Sequence, residues 1–67
     1  MKVTVSFEQG SDREFIIGQD GNQVTAVKPG FQNLQEDNCG FGDTVSEAVR
    51  DLCRQEHFGR PMDIQID

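Results

Sequence analysis

The sequence predicts an α+β domain: a three-stranded antiparallel β-meander, one amphipathic α-helix packed on it, and a short C-terminal strand, in the order β-β-β-α-β. Two stretches, 2–8 and 62–67, alternate apolar and polar residues with the period of a strand. Between them, 43–59 carries a helix-start signal, an apolar stripe at helical spacing and a closing glycine. The 67 residues amount to one domain, 1–67, with a thin core, because so short a chain buries only about 60% of the surface its unfolded state exposes.

In the first strand Val3, Val5 and Phe7 share one face and Thr4, Ser6 and Glu8 the other. Gly10, Ser11 and Asp12 supply turn chemistry, after which Glu14 to Ile17 resumes an extended run with Phe15 and Ile17 on a common face. Asp20-Gly21 suits the two central positions of a type I′ hairpin turn, so the run from Gln23 to Lys28 folds back as the third strand. Pro29-Gly30 ends it, and the polar stretch to Gly42 reads as a long loop around Phe31 and Leu34.

Thr44 and Glu47 form a capping box, in which the Thr44 hydroxyl accepts from the Glu47 amide and the Glu47 carboxylate reaches back to the Thr44 amide. Val45, Ala48, Val49, Leu52 and Cys53 make the apolar stripe. Arg50, Arg54 and His57 gather toward the end where the dipole favours cations, and Gly59 is placed to close the helix in a left-handed conformation before Pro61. In the last strand Met62, Ile64 and Ile66 are expected to face the helix.

A hydrophobic content of 34%, with five Phe and neither Trp nor Tyr, fills one layer between a helix and a sheet and leaves no deep pocket for an active site. The net charge of −6 repels nucleic-acid phosphates unless basic residues segregate, and it favours solubility. No apolar run is long enough for a signal peptide or a membrane span, and two cysteines, Cys39 and Cys53, fit reduced thiols in the cytoplasm.

Cys53 and His57 lie four apart on the helix with Cys39 shortly before it, a set that could approach a zinc ion. Structural zinc sites draw close pairs from two elements and only one such pair exists here, so Cys53 reads as a small core residue and His57 as a helix-end cation. Glu36 and Asp37 read as solvation of their loop, and Gly40-Phe41-Gly42 as a sharp entry into the helix with Phe41 over one end of the core. No catalytic residue, cofactor or metal is assigned. Three of the six Lys and Arg lie between Arg50 and Arg60, which makes the helix end locally positive.

At Gly42-Asp43-Thr44-Val45-Ser46-Glu47-Ala48 the sequence resembles the HicB-like antitoxin family, in which a Gly-Asp-Thr-x-x-Glu-Ala segment opens the helix after a β-meander. The order of elements agrees over most of the chain, although the stretch between Pro29 and Gly42 is longer than its family counterpart. The resemblance implies a truncated ribonuclease H-like scaffold without catalytic carboxylates. It also implies a module that masks another protein, such as a small RNA-cleaving toxin or a host factor. Ending at Asp67, the sequence is expected to be a solitary domain of phage or mobile-element type, lacking the DNA-binding module that many members append.

The expectation is a non-enzymatic protein-binding homodimer whose contacts are Phe31, Leu34, Arg50, Arg54, His57 and Arg60. The alternative is a nucleic-acid-binding domain that uses the basic end of the helix.

Overall fold

The computed structural model describes residues 1–32 and 37–67. Its strands are β1 (Lys2–Phe7), β2 (Arg13–Asp20), β3 (Gln23–Val27), β4 (Gly40–Gly42) and β5 (Pro61–Ile66), and its helix is α1 (Val45–Glu56). All pairings are antiparallel, in the order β4-β3-β2-β1-β5, and the sheet curls around the single helix. The α+β class holds, with five strands rather than four.

The extra strand is the Gly-Phe-Gly segment expected to be a sharp entry to the helix. Gly40 and Gly42 stand opposite Ala26 and Val24 on the inner face of β3, beneath α1. A Cβ on Gly40 would run into the Ala48 carbonyl and stand 2.6 Å from the Leu52 amide, and one on Gly42 would stand 2.7 Å from the Ala48 amide. The glycines therefore let the helix backbone lie directly on the strand. Phe41, paired with Thr25, turns to the opposite side of the sheet and is half-buried.

The core is the inner face of the first three strands against the helical stripe: Val3, Val5, Phe15, Ile17 and Ala26 meet Ala48, Val49, Leu52 and Cys53. The hairpin between β2 and β3 is one residue out from the expected position. Asp20 pairs with Gln23, and Gly21-Asn22 are the central residues. Gly21 has φ 62°, whereas Asn22 is not among the residues with positive φ, which is the type II′ pattern rather than type I′.

Thr44 caps the helix, its hydroxyl oxygen accepting from the Glu47 amide at 3.1 Å. The Glu47 carboxylate accepts from that same hydroxyl at 3.3 Å instead of reaching the Thr44 amide. At the other end the left-handed closing residue is His57, with φ 59° and ψ 37°, not Gly59. The His57 amide donates to the Arg54 carbonyl at 3.4 Å and the Phe58 amide to the Cys53 carbonyl at 3.0 Å, the paired bonds of a Schellman motif. Closing at His57 delivers Phe58 to the core. Its ring stacks on Phe15 at 6.1 Å, meets Phe7 edge-on at 6.3 Å and lies 4.0 Å beneath the Arg13 guanidinium.

Strand β5 departs from expectation in its burial. Ile64 and Ile66 stand opposite Val5 and Val3, hence on the helix side, but α1 lies chiefly over β3 and β4. Beyond its reach Ile64 is half-buried and Ile66 63% exposed. Met62, expected to face the helix, is also 63% exposed because the register with β1 shifts there, setting Ser6 against Asp63 but Phe7 against Pro61 and taking Met62 out of the alternation. No helix among the described residues is long and apolar enough to cross a membrane.

Candidate interaction groove beside the last strand

Arg50 and Arg54 project from the exposed side of α1, one turn apart, and the Schellman turn brings Arg60 back toward them. Together with Gly59 and Pro61 they line an open groove of about 640 Å³. A smaller hollow, lined by Ser46, Arg50 and the Pro61–Ile64 end of β5, shares Arg50 and Pro61 with it. One wall of the combined groove is the cationic side of the helix and the other is the Pro61–Ile64 stretch of β5, in which Asp63 stands between Met62 and Ile64.

Most basic side chains are already engaged. Lys2 pairs with Glu14 at 3.3 Å, Lys28 with Glu56 at 2.7 Å and Arg54 with Asp51 at 2.7 Å, while Arg13 covers Phe58. Among the described residues neither Arg50 nor Arg60 has a carboxylate within ion-pair distance. These two guanidiniums remain available to a ligand on a molecule of net charge −6.

Of the expected contacts, the structure thus gathers Arg50, Arg54 and Arg60. His57 lines a separate hollow with Phe7, Glu8 and Phe58, joined to the groove only through Gly59 and Arg60. Phe31 is half-buried, its amide donating to the Lys28 carbonyl at 3.1 Å in the turn after β3, and it is not among the residues lining the groove. Leu34 lies outside the described residues, as does Glu36.

Cys39, within the stretch expected to be a loop, is buried, and so is Cys53. Desolvation by burial pushes both thiols above their ordinary pKa, so neither is activated as a thiolate. No cluster of three or more potential metal ligands occurs among the described residues.

The two edges of the sheet differ, a contrast that strand patterning alone did not indicate. At β4, Asp51 Oδ2 accepts from the Phe41 amide at 3.0 Å and Gln55 Nε2 donates to the Cys39 carbonyl at 2.9 Å. Gln55 also donates to the same Asp51 oxygen at 3.1 Å, so two helix side chains fill the place of a neighbouring strand. At β5 the Asp67 amide donates to the Lys2 carbonyl at 3.0 Å. The antiparallel alternation then turns residues 63 and 65 toward β1 and the backbone groups of Ile64 and Ile66 outward. One edge is closed by side chains; the other is open. The only sequence hint was the four-residue spacing of Asp51 and Gln55 on one side of the helix. No family model, curated protein or solved structure matches the chain.

Proposed function

We propose that this chain is a non-enzymatic protein-binding module that masks a surface of its partner by receiving an acidic, partly apolar segment in the groove between α1 and β5. The observation carrying this reading is the pair Arg50 and Arg60, without an ion-pair partner among the described residues, beside the exposed Met62 and half-buried Ile64 on an otherwise acidic molecule. Arginine in such a setting suits bidentate capture of carboxylates, while the strand offers apolar contact. The resemblance at Gly42–Ala48 to HicB-like antitoxins supports a masking role and makes a small toxin a partner to test first.

The test is co-purification with the product of an adjacent toxin-like reading frame, comparing the unmodified chain with an Arg50→Glu/Arg60→Glu variant. Capture by the first and loss in the second, with unchanged circular dichroism, is the expected result. Equal capture by both would remove the groove from the reading, and capture by neither would reject that partner.

The convergence of Arg50, Arg54 and Arg60 also supports a second reading, nucleic-acid binding. Arg54 is tied to Asp51, however, and the two remaining arginines give little counterion release against a net charge of −6. Fluorescence anisotropy with single-stranded RNA and duplex DNA at low salt should therefore show no binding. A salt-sensitive signal lost in the double variant would put this reading first.

A further inference from the structure

We infer that β5 is the seam of a homodimer, pairing antiparallel with β5 of a second copy about a twofold axis at Ile64. The outward backbone groups of Ile64 and Ile66 form a row that no described residue hydrogen-bonds, whereas the opposite edge is closed by Asp51 and Gln55. An open edge beside exposed apolar side chains is a template for another strand. A symmetric pair uses the same residues twice and closes, leaving no open seam.

Charge selects the register. Hydrogen bonding requires outward residues to meet outward residues, and the register shift that sets Ser6 against Asp63 but Phe7 against Pro61 takes Met62 out of the alternation, so Ile64 can stand opposite the second copy's Ile64 or Ile66. The second choice sets Asp63 directly against the second copy's Asp67. With Ile64 on Ile64, each Asp63 faces the second copy's Gln65 and no acid opposes an acid. The same register brings the exposed Ile66 of each copy over the seam, against the bulged end of the second copy's strand.

Facing residues in this arrangement point to one side of the joined sheet, so both helices stand on the same face. The two arginine-lined grooves then flank a shared floor of Ile64 and Ile66 from each copy. This goes beyond the partner-binding reading and does not depend on it, because the seam forms from the chain alone.

Sedimentation velocity of the full chain across a concentration series tests the seam. A strand-sized interface is small, so reversible dimerisation in the micromolar range is expected. Gln65→Lys places a cation opposite Asp63 at two symmetric positions and should tighten the dimer, while Gln65→Glu should weaken it, each by roughly three- to tenfold. Ile66→Pro removes an outward amide that the fold does not use and should give a monomer with an unchanged circular dichroism spectrum. If Ile66→Pro disturbs the fold, the opposed effects at Gln65 still decide. A chain that stays monomeric up to about 1 mM, or a dimer indifferent to both Gln65 variants, overturns the proposal. Partner capture is a separate readout, so a monomer that binds its partner would reject the seam and keep the groove.

Discussion

The Asp51 carboxylate accepts a hydrogen bond from the Phe41 amide at 3.0 Å, placing a helix side chain where a sixth strand would otherwise pair. Removing it in Asp51→Ala leaves a partly buried backbone donor without its acceptor and should cost about 1–3 kcal/mol in urea unfolding. Gln55→Ala should cost less, roughly 0.5–1.5 kcal/mol, because its carbonyl partner retains access to water. Hydrogen exchange at the Phe41 amide should accelerate in Asp51→Ala. Unchanged protection there would mean that the carboxylate does not close this edge.

The same contact sets a pH dependence. The Phe41 amide, and after it the Arg54 guanidinium, hold the Asp51 carboxyl below the usual carboxylate range. A folded pKa below the unfolded one contributes stability that is complete above about pH 4 and is lost as pH falls through the folded value. Urea midpoints should therefore drop on acidification from about pH 4 toward pH 2, and the drop should be shallower in Asp51→Asn, which cannot titrate. Parallel acid profiles in the two proteins would assign the slope to other carboxylates.

Gly40→Ala should be the most damaging single methyl group in the chain. The added Cβ meets helix backbone at Ala48 and Leu52, which can yield only if α1 lifts from β4. A loss of about 3 kcal/mol or more is expected, against less than about 1 kcal/mol for Gly18→Ala, whose nearest neighbour is the Thr25 hydroxyl at 3.0 Å. Thermal melts of the two variants separate the cases. Similar melting temperatures would show that the helix does not rest on the strand as closely as described.

What could be read beforehand was whatever a side-chain period announces. The alternation at Val3, Val5 and Phe7 and the stripe from Val45 to Cys53 correspond directly to buried faces. Strand β4 was hidden because its inward positions are glycines: the period of two was present, but with no apolar side chain to mark it. Exposure of Met62 and Ile66 was hidden for another reason. For Ile66 the pattern indicated the correct side of the sheet, yet how far a twelve-residue helix reaches across that side depends on where β4 places it, while Met62 falls at a register shift that its alternation did not announce. Likewise the cluster of Arg50, Arg54 and Arg60 was visible in the chain, while its separation from His57 follows from a turn that closes earlier than Gly59 suggested.

Burial of the cysteines gives a kinetic expectation. With both thiols buried and desolvation raising their pKa, alkylation or disulfide-reagent labelling at about pH 8 should run at least about tenfold slower in the folded protein than in denaturant. A thiol that reacts at the unfolded rate would revive a chemical role for that position.

His57 offers the converse of the glycine test. It holds a left-handed conformation that costs a side chain roughly 1 kcal/mol, and its ring is exposed. Replacement by glycine removes that cost but adds backbone freedom to the unfolded chain, so the two terms oppose one another. Because glycine is the favoured residue at the closing position of a Schellman motif, the conformational gain should prevail and His57→Gly should stabilise by about 0.5–1 kcal/mol. A rise in melting temperature, with the Phe58 amide still protected from exchange, is the expected signature. If the variant instead melts lower with that protection intact, the imidazole contributes contacts that outweigh its strained backbone.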